Sequence, residues 1–192
     1  MDTLSGLIWT WYRGDALHEL PPVAGVSFER CDDATALAMV MSKSIADVEA
    51  RIAAGHLAFV ARAEGAIVSH GWAATREAEF RQGAFRFAMP TGNRYLWAFA
   101  TLPEWRGKGL YPRLLQHILR TESQVADRFW VLHKASNEAS RRGIERAGFE
   151  LAGWNCDLPN GEARLRANAG SPRIVAASEL LGIPLFERDT PH

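Results

Sequence analysis

The chain has little cysteine and no excess of charge of either sign, and both shortages narrow the classes of protein to which it can belong. Only Cys31 and Cys156 occur among its 192 residues, too few for a disulfide framework or a site of paired cysteine ligands. A reducing compartment fits best, with both thiols buried. The 22 basic side chains equal the 22 acidic ones, whereas nucleic-acid binding needs a basic excess. We therefore expect no nucleic-acid partner.

Long apolar runs and metal-ligand spacings are also missing. The longest apolar stretches, 36–41 and 96–101, are far shorter than the roughly 20 residues of a membrane-spanning helix. No basic residue precedes Arg13, unlike the positively charged start of a signal peptide. The six histidines show no ligand spacing. The expectations are a cytoplasmic protein with no membrane contact and no metal.

The length and composition predict one domain with an ordinary core, since 47% of the residues are hydrophobic and 23% charged. Residues 1–24 end at Pro21-Pro22 and predict an N-terminal arm or an added strand. Their aromatic residues Trp9 and Trp11 suggest a contact in a homodimer. Residues 25–192 are expected to form the domain, with a C-terminal extension after about residue 153.

Apolar spacing predicts alternating strands and helices. The predicted strands are 26–30, 56–62, 66–75, 85–88, 95–101, 129–133 and 163–166, and the predicted helices are 34–41, 44–55, 110–119, 138–147 and 174–181. In the second helix Asp47 and Arg51 are spaced to form an ion pair. The first half favours antiparallel hairpins, and the strand–helix–strand order of the centre favours a parallel crossover. The prediction is an α/β fold with a mixed, mostly antiparallel sheet flanked by helices, in which strand 95–101 is covered on both faces.

The segment most informative about function joins the strand that ends at Thr101 to the helix that begins near Leu110. Arg106-Gly107-Lys108-Gly109 lies between them. Free N–H groups at a helix start and two glycines suit an anion, although such a turn can also be purely structural. The spacing fits neither a nucleoside-triphosphate loop nor a dinucleotide fingerprint.

Two motifs together resemble the GNAT superfamily of acetyl-CoA-dependent N-acyltransferases. Arg106-Gly107-Lys108-Gly109-Leu110-Tyr111 is similar to its pyrophosphate motif of Arg or Gln, two residues, Gly, one residue, then Gly or Ala, with Tyr111 departing at the last position. About 30 residues later, Asn137-Glu138-Ala139-Ser140 and Gly148-Phe149 are similar to the second motif. The resemblance covers roughly residues 25–153.

The resemblance implies a GNAT-like fold in which strands 95–101 and 129–133 splay apart around the pantetheine arm of acetyl-CoA. The backbone of Phe99 and Thr101 would bind that arm. Asn137 and Ser140 would face the cofactor, or cap and begin their helix, and both roles can coexist. The residues implied to hold the pyrophosphate are Arg106, Gly107, Lys108, Gly109, Leu110 and Tyr111.

The activity implied is transfer of an acetyl or other short acyl group to an amine by direct attack in a ternary complex. The acceptor is a small molecule or a peptide. One alternative is a catalytically inactive acyl-CoA-binding or interaction domain on the same fold. Another is an unrelated α/β protein whose anion site binds no coenzyme A.

The general acid that the family commonly uses is missing. It is a tyrosine four residues before the glycine of Gly-Phe, and that position is Ile144. Candidate replacements are Tyr95, Tyr111 and His133.

Candidate bases are His70, Glu77 and Glu79, because they lie on or after the strand that would border the acceptor cleft. Each has a structural alternative: a solvated loop charge for the two glutamates, and a hydrogen-bonded strand residue for His70. Trp72 and Trp97 lie on strands that could line the acceptor side.

Overall fold

The computed structural model describes residues 3–80, 85–168 and 171–186. The strands are β1 (Thr3–Tyr12), β2 (Val26–Arg30), β3 (His56–Ala63), β4 (Ala66–Ala74), β5 (Glu77–Phe80), β6 (Phe85–Ala88), β7 (Asn93–Thr101), β8 (Arg128–Lys134), β9 (Glu150–Asp157) and β10 (Ala163–Ala167). The helices are α1 (Ala34–Met41), α2 (Ile45–Ala53), α3 (Leu110–Glu122), α4 (Glu138–Ala147) and α5 (Arg173–Leu181). No helix in these ranges is long and apolar enough to cross a membrane.

Eight strands form one sheet in the order β10-β9-β1-β8-β7-β4-β3-β2, and β5 and β6 form a separate hairpin. Every neighbouring pair in the large sheet is antiparallel except β7 and β8, which are parallel and joined through α3. The predicted mixed, mostly antiparallel sheet flanked by helices is confirmed. The sequence pattern missed β5 and β9, since the apolar alternation weakens at both places.

The N-terminal segment supplies an interior strand. β1 lies between β8 and β9 and pairs antiparallel with both. Trp9 and Trp11 are 3% and 4% exposed and pack in the core. The prediction that these two side chains make a dimer contact is wrong, because a strand with a neighbour on each edge turns its aromatic residues into the layers that cover the sheet.

The sheet has a core on each face. On one face α3 and α4 cover it, with Leu114 and Ile118 of α3 fully buried against Leu96 and Phe129. On the other face α1 and α2 pack near Trp72, while α5 and the β5–β6 hairpin cover Tyr95 and Trp130. Near the C-terminal end of β7, Ala98 and Ala100 are exposed.

Candidate active site

The parallel strands β7 and β8 separate halfway along β7. Their ladder runs from Asn93 opposite Arg128 to Leu96 opposite Val131 and ends there. Ala98 has a φ of 51°, and the pairing of β7 with β4 shifts register at this point, which are features of a β-bulge. Among the described residues, the edge of β7 that faces β8 has no strand partner beyond Leu96. The prediction that strand 95–101 is covered on both faces is wrong for its second half, because β8 diverges and leaves Ala98 exposed.

The gap between the two strands is a cleft of about 770 Å³. Its walls come from the second half of β7, the end of β8 and the start of α4. The Phe99 ring lies over Gly71 of β4, where any Cβ would collide with it, and 5.1 Å from the ring of Tyr111. Gly71 therefore gives Phe99 the space to form the floor of the cleft.

The start of α3 is open for an anion. Gly109 precedes the helix with a φ of 71°, and Gly107 has a φ of 75°, a left-handed conformation that favours glycine. Side chains of Asp33, Ser44 and Asn137 cap α1, α2 and α4, whereas α3 has no side-chain cap. The N–H groups of its first turn also have no partner within the helix. They face a cavity of about 650 Å³ that is lined by Gly109, Leu110 and Tyr111.

Three arginines surround this second cavity. Arg106 donates from Nε to the carbonyl oxygen of Thr101 at 3.1 Å. Arg142 and Arg146, which the sequence analysis missed, also line the cavity from α4, and their spacing of four residues on a predicted helix could have placed them on one face. Lys108 is absent from the lining, and its ammonium lies 4.1 Å from the ring centroid of Trp105, which does line the cavity.

The two cavities share Phe99, Tyr111, Asn137 and Ser140 and form one continuous cleft. Asn137 Oδ1 accepts a hydrogen bond from the Ser140 N–H at 3.0 Å, so Asn137 caps α4 and faces the cleft at the same time. The structure thus brings together the residues predicted to bind a cofactor, Lys108 excepted.

Tyr111 departs from the family motif, and Gly143 accommodates it. The Tyr111 ring occupies the place that a side chain at Gly143 would take. Its hydroxyl lies 3.3 Å from Ser140 Oγ, and burial raises the pKa of Tyr111 to about 12. The phenol therefore stays protonated at neutral pH and lines the cleft from the first turn of α3. Ile144 belongs to α4 and is fully buried in the core.

The other two predicted acids are poorly placed. His133 Nε2 accepts from Trp9 Nε1 at 2.9 Å, and Nδ1 lies 2.8 Å from the carbonyl oxygen of Lys134. Burial lowers the pKa of His133, so the imidazole is neutral with both nitrogens engaged. Tyr95 packs edge-on against Phe87 in the core and lines neither cavity. His133 lines the cleft with both ring nitrogens engaged, whereas Tyr95 lies outside it.

The base candidates lie on the opposite face of the sheet. Glu77 and Glu79 line a groove of about 790 Å³, and Trp97 lines both this groove and the cleft between β7 and β8. Glu79 Oε2 lies 3.8 Å from Arg86 Nε, whereas no carboxylate-binding partner of Glu77 is found in the described ranges. His70 is 6% exposed and lines neither the groove nor the cleft; burial and the nearby Arg51 lower its pKa. His70 is therefore a buried residue of β4 outside the lining of the groove and the cleft, and its role as a base stays a prediction.

Comparison with known proteins decides the family. The acetyltransferase (GNAT) family model matches residues 16–149. The chain belongs to the GNAT acetyltransferase family. This confirms the family that the two motifs indicated, and no curated protein matches the GNAT chain significantly.

Solved structures of GNAT proteins share its fold. A GNAT-family acetyltransferase from Colwellia psychrerythraea superposes with a TM-score of 0.54 at 14% identity over 79% of this chain and 54% of that one. A GCN5-related N-acetyltransferase from Kribbella flavida superposes with a TM-score of 0.52 at 17% identity over 78% of this chain and 56% of that one. One from Sphaerobacter thermophilus superposes with a TM-score of 0.54 at 15% identity over 77% of this chain and 49% of that one. The chain spans about half the length of these structures, and at such low identity the likeness shows the fold alone.

Proposed function

We propose that this GNAT chain transfers an acetyl group from acetyl-CoA to an amine by direct attack in a ternary complex. One observation carries the proposal: β7 and β8 separate after Leu96 and Val131, and the resulting cleft leads to the uncapped first turn of α3. The gap between the strands suits an extended thioester arm, and the first turn of α3 suits the diphosphate that follows this arm in acetyl-CoA. Membership of the family supports the same reaction.

The cleft fits coenzyme A chemically. The unpaired edge of β7 offers N–H and C=O groups to the amides of the pantetheine arm, in the way that a sheet edge binds an added strand. The N–H groups of Leu110 and Tyr111, together with the helix dipole, would hold the pyrophosphate. Arg142 and Arg146 would neutralise phosphate charge from α4.

The reaction requires a neutral amine and a polarised carbonyl group. An alkyl ammonium has a pKa near 10.4 and is almost fully charged at pH 7, so a base that removes its proton accelerates the attack. We assign this role to Glu77, which faces the groove on the far side of Trp97. A backbone N–H of β7 near the bulge at Ala98 would polarise the thioester oxygen.

The amine nitrogen bonds to the carbonyl carbon, the C–S bond breaks, and coenzyme A leaves as a thiol after taking up a proton. Tyr111 is the only tyrosine among the described residues that line the cleft, so we assign it the delivery of that proton. The thiol reference pKa near 8.5 makes the thiolate a fair leaving group. Loss of the Tyr111 hydroxyl should therefore slow turnover without abolishing it.

A second candidate function is acyl-CoA binding without catalysis. The buried Ile144 at the position of the family's usual acid, and the engaged nitrogens of His133, favour it. The two functions differ in whether an amine triggers release of coenzyme A.

The test is to measure free thiol released from acetyl-CoA with and without each member of an amine panel. Transfer predicts release that depends on the amine and an equal amount of acetylated product by mass spectrometry. Tyr111→Phe should lower kcat at least about tenfold, whereas the matched control Tyr95→Phe should leave it unchanged. Binding of acetyl-CoA without release for any amine would favour the second function.

A further inference from the structure

The groove on the far face of the sheet has features of a binding site for an anionic group. It is lined by residues of α2, the β5–β6 hairpin and β7, and we call it the Arg51 groove after one of its lining side chains. The sequence predicts an ion pair between Arg51 and Asp47. The structure instead places the Arg51 guanidinium over two indoles, 4.8 Å from the ring centroid of Trp97 and 5.6 Å from that of Trp72. Arg51 is therefore a cation without a carboxylate partner in the part of the chain that the structure describes.

Several N–H groups around Arg51 lack acceptors. Arg51 Nη1, Trp72 Nε1 and Trp97 Nε1 are buried with no hydrogen-bond partner in the described ranges. These atoms are donors only and cannot bond to one another. His56 Nδ1 is likewise buried and unpartnered, in a ring whose centroid lies 5.2 Å from that of Trp97. Buried donors without acceptors are rare in native proteins. Arg51 and Trp97 line the groove whereas Trp72 does not, so a ligand rich in acceptors would satisfy the donors of the first two.

The charges of the groove complement one negative charge. Arg51, Arg76 and Arg86 face Glu77 and Glu79, which leaves one positive charge among the described side chains. Desolvation, assisted by Arg51, lowers the pKa of His56, so the imidazole adds no charge at neutral pH. A carboxylate matches this balance better than a phosphate dianion, which the two glutamates would repel, or a polyamine, which Arg51 would repel.

The groove meets the cleft between β7 and β8 at Trp97, one residue beyond the last paired position of β7. We propose that the Arg51 groove binds the carboxylate of the acceptor, so that the substrates are small amines bearing one carboxylate, such as amino acids. This inference rests on the proposed acetyl transfer and names its acceptor class. A carboxylate beside Arg51 lies next to Trp97, which places a nearby amine at the junction with the acyl cleft and on the side of Glu77.

The test compares amino acids with their carboxamides, which have nearly the same size and lack the negative charge. Acetylation of each pair is measured with the wild type, Arg51→Gln and Arg51→Lys, and binding without acetyl-CoA is followed by ligand-observed NMR. The control Arg30→Gln removes an exposed arginine that pairs with Asp32 on a remote surface. Thermal unfolding with acetyl-CoA checks that each variant is folded and binds the cofactor.

We expect the wild type to prefer carboxylates over carboxamides by at least about tenfold in kcat/KM, as for a hydrogen bond to a charged group. Arg51→Gln should remove the preference with unchanged acetyl-CoA affinity, Arg51→Lys should retain part of it, and Arg30→Gln all of it. Equal use of both members of each pair, or a preference that survives in Arg51→Gln, would overturn the inference.

The inference and the proposed transfer fail in different ways. If acetyl-CoA binds and uncharged amines are acetylated while amino acids neither bind nor react, the acceptor class is wrong and the transfer stands. If acetyl-CoA does not bind, the transfer itself is refuted. NMR binding of amino acids that Arg51→Gln abolishes would still support the Arg51 groove in that case.

Discussion

Replacement of Gly109 by alanine should weaken acetyl-CoA binding more than it weakens the fold. At a φ of 71° an L-residue costs about 1–2 kcal/mol, and the new Cβ would collide with the end of Arg113, a flexible side chain that can move. The added methyl group also stands where a phosphate must approach the first turn of α3. Loss of one charged hydrogen bond, about 1.5–3 kcal/mol, corresponds to a Kd raised roughly 10- to 150-fold.

The matched control is Gly161→Ala. Gly161 has a φ of 84° with nothing within 4 Å of its Cβ position, so alanine there causes similar backbone strain far from the cleft. Both variants should therefore unfold at a lower temperature than the wild type in the absence of ligand.

Thermal unfolding with acetyl-CoA at 100 times the wild-type Kd separates the two effects. Such a ligand stabilises by about 2.7 kcal/mol, or roughly 5–10 °C for a domain of this size. Gly161→Ala should keep this shift. With a Kd about 30-fold higher, Gly109→Ala keeps about 1 kcal/mol, or roughly 2–4 °C. An undiminished shift in Gly109→Ala would refute the assignment of α3 as the phosphate site.

Three further variants test other parts of the account. Arg146→Ala should raise the Kd for acetyl-CoA roughly tenfold by titration calorimetry, whereas Arg141→Ala should not, because Arg141 pairs with carboxylates on its own helix. Glu77→Gln should lower kcat at pH 7 at least about 100-fold, whereas the control Glu79→Gln should lower it less than about threefold. The loss of kcat in Glu77→Gln should shrink as pH rises, because the amine then loses its proton without a base. Asp15→Asn should lower the free energy of unfolding by roughly 1–3 kcal/mol at neutral pH, measured by urea titration, because the carboxylate bonds to an arginine of α5 at 2.6 and 2.7 Å.

The loss of stability in Asp15→Asn should depend on pH in a definite direction. Burial raises the pKa of Asp15, but hydrogen bonds from Arg173 and the Tyr12 N–H outweigh it and lower that pKa below its ordinary value. The stabilisation is therefore complete above the pKa of an unfolded aspartate and is lost as pH falls through the folded pKa. A gap between wild type and Asp15→Asn that persists at pH 2 would contradict this reasoning. Equal effects of Arg146→Ala and Arg141→Ala on the Kd for acetyl-CoA would contradict the first prediction of this group. Equal effects of Glu77→Gln and Glu79→Gln on kcat would contradict the second.

The cofactor side of the site was predictable from sequence because it depends on backbone conformation. Gly107 and Gly109 occur where φ is positive, and Asn137 caps the helix that follows. Such requirements fix residue types at fixed spacings, which a single sequence displays. The position of β1 was not predictable, because pairing between residues 116 to 128 apart in sequence depends on the whole sheet.

The acceptor side of the site could not be predicted from the sequence, for a different reason. Arg51 and Glu77 come from separate elements, and neither lies in a recognisable motif. Arg51 has an apparent partner in Asp47 at helical spacing, and only the packing of Trp97 beneath the guanidinium shows that it turns elsewhere. Side chains that meet through tertiary structure leave no local pattern in a sequence.

The central claim is that acetyl-CoA lies between β7 and β8 with its pyrophosphate on the first turn of α3. Titration of isotope-labelled protein with acetyl-CoA, followed through its backbone amides by NMR, tests this most directly. The account predicts the largest shift changes at Leu110 and Tyr111 and along β7 from Ala98 to Thr101. Saturable binding that leaves these amides unchanged and shifts others would contradict it.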